Sequence, residues 1–182
     1  EGRVAAVTDS TGRTVTYAYY ALGEAGGSPG DLKSVTSPPV TGTSTGNDFP
    51  LGKTVSYTYT SGQADDRANH LLLTVTDPLG QTPVQCGYDL DPLSASFLRC
   101  LSAQRGANAP ARATYLPQTP APANRFAALR CIFNDPEGNV SEHDFDVRNR
   151  RVALREYTGR AEPGQAVTET ENRPAGKLRA GA

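Results

Sequence analysis

A phrase of eight residues, GRTVTYAY from Gly12 to Tyr19, recurs in looser copies along the chain and constrains its fold more than any other feature. Val15, Tyr17 and Tyr19 alternate with Thr14, Thr16 and Ala18, so one side of the phrase is aliphatic and aromatic while the other is small and hydroxylated. A period of two belongs to a β-strand and not to a helix. The preceding VAAVT and DST read as an antiparallel partner and a turn, which makes the opening of the chain a hairpin.

The copies share a register. Val55, Tyr57 and Tyr59 stand after Gly52 as Val15, Tyr17 and Tyr19 stand after Gly12. In LLLTVTDPLGQTPVQCGYD the turn residues are Asp77, Pro78 and Gly80, but Tyr88 follows its glycine by eight residues instead of seven. Pro83 occupies the added place, and because proline cannot donate to a ladder, a bulge or a sheet edge is expected there. In NDPEGNVSEHDFD the marks are Asp135, Pro136, Gly138 and Phe145, with His143 at the place of Tyr17 and Tyr57. An inward-facing His143 is expected to replace a core aromatic, since the unit offers it no evident histidine, cysteine or serine partner for catalysis or metal binding.

Gly106 and Gly164 complete the marker glycines, at intervals of 40, 28, 26, 32 and 26 residues, so the repeat is degenerate and carries insertions. Asp91 to Gly106 also has helical features: Asp91 could cap, Pro92 suits a first turn, and Leu93, Phe97 and Leu101 are helically spaced. The register favours a strand instead, with Leu98 and Leu101 counted back from Gly106. The last unit keeps a turn at Gly164 and an apolar Val167, but Glu169 and Glu171 take the aromatic places. That end is expected to be an exposed cap or half of a unit. We therefore expect about six units over residues 1–172, with inserted loops near 37–51 and 107–124, and residues 173–182 as a tail or the start of a further unit. A single hairpin cannot bury its aromatic face, so successive hairpins must stack or pair. The expected fold is all-β: repeated antiparallel β-hairpins forming a solenoid-like or spiralling β-sheet.

Composition agrees, with 18 glycines, 14 prolines, and neither tryptophan nor methionine in 182 residues. The mean hydropathy of -0.49 argues against a wide spherical core. In RNRRVALR, the arginines Arg148, Arg150, Arg151 and Arg155 lie close to Asp144, Asp146 and Glu156, so cross-strand ion pairing is expected in place of a nucleic-acid surface. Cys86, Cys100 and Cys131 show no CxxC spacing, and the chain has two histidines, so no zinc site is expected. The cysteines fall at strand positions that suit small buried hydrophobes, and one disulfide with one free thiol stays open for an extracellular chain. LGKT lacks the glycine a phosphate loop requires, and GEAGGSPGD misses the spacing of a calcium-binding repeat, leaving a flexible turn. No cofactor and no catalytic set is expected. No apolar run is long enough for a membrane helix.

GRVAAVTDSTGRTVTYAYYAL, LLLTVTDPLGQTPVQCGYD and NDPEGNVSEHDFDVRNRRV resemble the YD repeat of Rhs proteins, and the resemblance covers most of residues 2–172. The chain departs from the pattern where Tyr20 and Thr60 replace the terminal aspartate, and in the last unit, which loses its aromatics; Phe145 and Asp146 give FD in place of YD. The resemblance implies a piece of a large secreted or surface protein whose repeats wind a β-strip into a hollow shell. Related shells enclose a toxic C-terminal polypeptide in bacterial competition systems and insecticidal toxin complexes, and teneurins use a similar barrel in adhesion. It implies a non-catalytic wall segment located extracellularly or at the cell surface. Its partners would be further YD repeats of the same polypeptide or neighbouring copies, an encapsulated toxin domain or a surface glycan. An adhesion module built on the long connections, or a self-assembling filament subunit, is the alternative.

Overall fold

A computed structural model describes residues 2–168 and the backbone of Leu178–Ala180. The chain is all-β, a series of antiparallel hairpins in which strand order in the sheet follows chain order. It divides between Gln85 and Cys86 into two compact units.

The first unit contains β1 (Ala6–Thr8), β2 (Thr14–Tyr19), β3 (Leu32–Thr36), β4 (Thr54–Tyr59), β5 (Leu72–Thr76) and the start of β6 (Val84–Tyr88). Its registers keep the two faces apart. Tyr17 lies opposite Val35 and Val35 opposite Val55, while Tyr57 lies opposite Val75 and Val75 opposite Val84. On the other face threonine hydroxyls pair across strands, Thr8 with Thr14 and Thr36 with Thr54 at 2.9 Å, and Thr58 with Thr74 at 2.6 Å. Such pairs are the stabilising unit of a sheet. The strand residues stay exposed or half-buried on both faces, and the buried groups Tyr20, Ser28, Thr60 and Ala68 lie in the connections. The glycine-rich GEAGGSPGD is therefore more specific than a flexible turn. A Cβ on Gly27 would fall 2.4 Å from the Tyr20 ring and one on Gly26 2.8 Å from its hydroxyl, so the glycines form a cradle for that tyrosine. The Tyr20 hydroxyl donates to the Tyr57 carbonyl oxygen at 2.8 Å.

One turn recurs in both units. Gly12, Gly80 and Gly138 have φ of +83°, +78° and +86°, and each donates its N–H at 3.0 Å to the carbonyl oxygen of the aspartate three residues earlier. The carboxylates of Asp9, Asp77 and Asp135 also accept N–H bonds from the residues two and four positions later, at 2.8–3.0 Å. Aspartate and glycine suit this turn because the short carboxylate folds back on its own backbone and glycine tolerates the left-handed conformation. Pro78 and Pro136 pre-set φ at the intervening position. Gly52 makes the same bond to Phe49 without an aspartate. A further copy is hidden in the arginine run: Asn149, at φ +59°, donates to the Asp146 carbonyl oxygen, and the Asp146 carboxylate accepts from the Arg148 and Arg150 N–H groups. Asparagine here replaces the expected glycine.

Pro83 sits where the register slips. Asp77 N–H bonds the Gln81 carbonyl oxygen, but Val75 lies opposite Val84, so one residue is extra between the turn and β6, as expected for a proline bulge.

The second unit contains the remainder of β6, β7 (Cys100–Arg105), β8 (Ala111–Pro117), β9 (Leu129–Asn134), β10 (Asn139–Phe145), β11 (Arg151–Arg160) and β12 (Leu178–Ala180). Several expectations are corrected here. Leu98 is not in a strand: it has φ +64° in a turn, donates to the Asp89 carbonyl oxygen, and β7 begins at Cys100. Turns replace a helix over the preceding residues because Asp89 draws the Asp91 N–H and the Ser96 hydroxyl to its carboxylate. Gly106 belongs to a different turn, in which Asn108 N–H bonds the Arg105 carbonyl oxygen at 3.4 Å, because no aspartate precedes it. The stretch 107–124, expected as an inserted loop with a returning strand at Ala113–Leu116, contains that strand as the seven-residue β8.

Gly164 lies in a turn, as expected, with φ of +79° and the Gln165 N–H bonding the Glu162 carbonyl oxygen at 3.3 Å. Residues 161–168 turn back over the preceding strands, held by the Asn134 amide, which donates to the carbonyl oxygens of Glu162 and Gln165 at 2.9 Å, and by Arg112 Nε, which donates to that of Gly164 at 3.0 Å. Val167 joins Ile132 and Val140 in the core, with Leu116, Tyr157 and Ala161 packed around them. The buried Val167 of this strap does not fit an exposed cap, which leaves half of a unit as the other expectation for this end; Glu169 and Glu171 lie outside the described residues. The strap also decides which face of β10 is inner. Val140, Glu142 and Asp144 are buried, whereas His143 and Phe145 stand half-buried on the opposite face, so the expected core role of His143 is not met.

Candidate functional site

Strands β9, β10 and β11 concentrate the chemistry of the chain, on two faces. On the inner face, registry places Asp144 opposite Arg130, and Glu142 opposite both Ile132 and Arg155. Arg130 Nε donates to Asp144 at 2.7 Å and Arg155 Nη1 at 2.6 Å. The Tyr157 hydroxyl donates to Glu142 Oε1 at 2.7 Å, and both guanidinium groups lie within 3.7 Å of the same carboxylate. Both carboxylates are almost fully buried. Burial would push the Asp144 carboxyl up, but the hydrogen bonds from Arg130 and Arg155 outweigh it and hold the group below its ordinary value. Paired arginines thus permit buried charge that would otherwise be prohibitive.

Arg155 meets the expectation of cross-strand pairing, while Arg150 pairs Asp146 inside its own turn. Sequence reasoning missed Arg130, Glu142 and Tyr157. The signal was available in part: Val140, Glu142 and Asp144 share one parity in β10, as do the outer Ser141, His143 and Phe145.

On the outer face, Ser141 Oγ and His143 Nε2 are 3.0 Å apart, and the imidazole stacks on Phe145 with ring centres 6.5 Å apart and planes 17° from parallel. Ser141 is thus the serine partner that the reading of the unit did not find. Burial, and then the charge of Arg151, lower the His143 pKa, so its ring is neutral at neutral pH. A neutral imidazole can share a proton with a hydroxyl, but among the described residues no carboxylate hydrogen-bonds its other nitrogen. The pair lacks the orienting third group of a nucleophilic site.

Beside Ser141 the ladder opens. Ser141 lies opposite Glu156 but Asn139 lies opposite Arg160, so β11 carries two more residues than β10 between these pairs. The irregularity leaves a cavity of about 490 Å³ lined by Phe133, Asn139, Ser141, Glu156 and Thr158 among others. Phe133, Ser141 and Glu156 stand side by side on three successive strands: an aromatic ring, a hydroxyl and an exposed carboxylate.

The other repeat marks have local structural contacts. The Tyr19 hydroxyl donates to the Val4 carbonyl oxygen at 2.9 Å, and Tyr59 meets Tyr20 edge to face with centres 6.4 Å apart. Burial pushes the Tyr88 hydroxyl up to about 12. In the long connection near 37–51, Val40 and Phe49 form an isolated bridge, and Ser37, Pro38, Pro39 and Val40 help line a cavity of about 680 Å³ beside Val7 and Val15. Among the described residues no three histidine, cysteine or acidic side chains cluster as metal ligands, and no helix is long and apolar enough to cross a membrane. No protein-family model matches the chain, and no curated protein matches it by sequence.

Proposed function

We propose that the chain is a non-catalytic structural segment of a large secreted or surface YD-repeat protein, contributing wall to a β-shell able to enclose a toxin domain. The observation that carries this reading is the repeated aspartate turn, which joins hairpins whose strands pair in chain order. A serial meander of this kind extends by adding units, each contacting mainly its neighbours. The partners of such a segment are further repeats of the same polypeptide and the enclosed domain. Electron microscopy of the full-length protein tests the proposal. A continuous wall containing these hairpins is expected; a particle without a shell, or flanking sequence without such repeats, overturns it.

A second reading is favoured by the cavity beside Phe133, in which an aromatic platform, hydroxyls and a carboxylate converge as a saccharide would require. On this reading the wall segment also binds a surface glycan. A printed glycan array is expected to show binding that Phe133→Ala and Glu156→Ala weaken at least tenfold. A blank array, or binding indifferent to both changes, removes this reading without affecting the first.

A further inference from the structure

We propose that one edge of the second unit, formed by the β8–β9 and β10–β11 connections, docks on an anionic lipid surface, with Phe126 and Val147 entering the headgroup layer and Arg125, Arg148 and Arg151 meeting lipid phosphates. The two connections are neighbours: the Ala128 N–H donates to the Phe145 carbonyl oxygen at 2.8 Å, and Arg125 Nη1 donates to the Val152 carbonyl oxygen at 3.3 Å. Arg125 and Phe126 have φ of +55° and +59°, a left-handed region unfavourable to bulky side chains. Local bonds hold them there. The Asn124 side chain accepts from the Ala121 N–H and donates to the Thr119 carbonyl oxygen, both at 2.9 Å, and the Phe126 N–H bonds the Ala121 carbonyl oxygen at 2.9 Å. The result inverts the usual order of burial, with Ala127 at 0% exposure and Phe126 beside it at 58%. In the neighbouring turn Val147 is 79% exposed. Backbone strain retained to hold an aromatic ring in solvent points to a contact that the ring makes.

Charge selects the partner. Residues 118–128 and 146–151 carry four arginines, Arg125, Arg148, Arg150 and Arg151, against the single carboxylate of Asp146, which Arg150 pairs. All four arginines are exposed, and among the described residues no carboxylate pairs with Arg125, Arg148 or Arg151. The phosphates of an anionic leaflet complement such a set, each arginine near the surface adding to the attraction. Apolar side chains at the same edge add burial at the boundary between headgroups and acyl chains. Nucleic acid would also answer the arginines and stack on Phe126, but it offers no apolar layer to Val147. A lipid surface satisfies both kinds of side chain.

Co-sedimentation of the folded full chain tests the proposal, with vesicles of phosphatidylcholine alone or of equal parts phosphatidylcholine and phosphatidylserine. Binding to the anionic vesicles is expected to exceed binding to the neutral ones by about tenfold and to weaken as salt is added. Phe126→Gly removes the ring while glycine accepts the left-handed φ, so that variant is expected to fold at least as well and to bind about fivefold more weakly. Arg148→Glu is expected to weaken binding by about tenfold. Arg105 is also exposed but ends β7 at the opposite edge of the sheet, where Ala103 faces Ala111 at the start of β8. Arg105→Glu makes the same change of charge there and is expected to leave binding within about twofold. Binding to neither vesicle, equal binding to both, indifference to Phe126→Gly, or a loss in Arg105→Glu as large as in Arg148→Glu overturns the proposal. Binding of a single-stranded oligonucleotide in place of the anionic vesicles would assign the edge to nucleic acid and overturn it as well.

Discussion

Gly52 has φ of +81°, and a Cβ there would fall 2.1 Å from the Ser37 carbonyl oxygen, whereas Gly12, at +83°, has open space around it. Gly12→Ala therefore meets only the left-handed penalty, about 1–2 kcal/mol, and Gly52→Ala meets that penalty together with displacement of a backbone carbonyl. Urea denaturation of the two variants is expected to rank Gly52→Ala as clearly more destabilising; equal losses would show that the close approach carries no cost. Arg130→Met leaves Asp144 and Glu142 buried with one guanidinium fewer, and a loss of about 3 kcal/mol is expected by the same measurement, because uncompensated buried charge costs more than the pair contributes. The turn aspartates set a pH dependence. The Thr11 hydroxyl, followed by Arg13, lowers the Asp9 pKa from 3.8 to about 2, and Asp135 and Asp146 are lowered as well. A carboxyl depressed by folding contributes stability above its unfolded value, and that contribution is lost as pH falls through the folded one. Thermal midpoints are expected to fall as pH drops from about 4 to about 2, and less steeply in Asp9→Asn; identical curves would mean that the turn does not hold its carboxylate.

At the scale of an element, the hidden turn between β10 and β11 and the strap over β8–β10 decide the second unit. Asn149 adopts φ +59°, so Asn149→Gly is expected to leave stability nearly unchanged while Asn149→Val destabilises it, since a β-branched residue is strained there. Circular-dichroism melts distinguish the two outcomes. Val167 is 1% exposed, and Val167→Ala is expected to cost roughly 2 kcal/mol. In hydrogen exchange the loss should centre on the amides of β9 and β10 beneath the strap. Period-two alternation made the strands legible; which face of β10 is buried depended on the strap, whose AEPGQAVT sequence carries no strand period to announce it.

Across the whole molecule each strand pairs with its neighbours in the chain, so disturbance should stay local. Tyr17→Pro, which removes a backbone donor from β2, is expected to abolish protection in β1–β3 while the β9–β10 amides keep theirs; global loss of protection would contradict a nearest-neighbour architecture. The sequence by itself determined the β class, the hairpin series, the aspartate–glycine turns and the slip at Pro83, because each follows from local backbone preference and a period of two. It could not place Leu98 in its turn or set the faces of β10, since Asp89 hydrogen bonding settles the first and the strap the second. Nor could it gather Arg130, Glu142, Asp144, Arg155 and Tyr157 into one buried network. Those contacts join residues 11 to 15 positions apart, and only strand pairing and the burial of one chosen face make them neighbours.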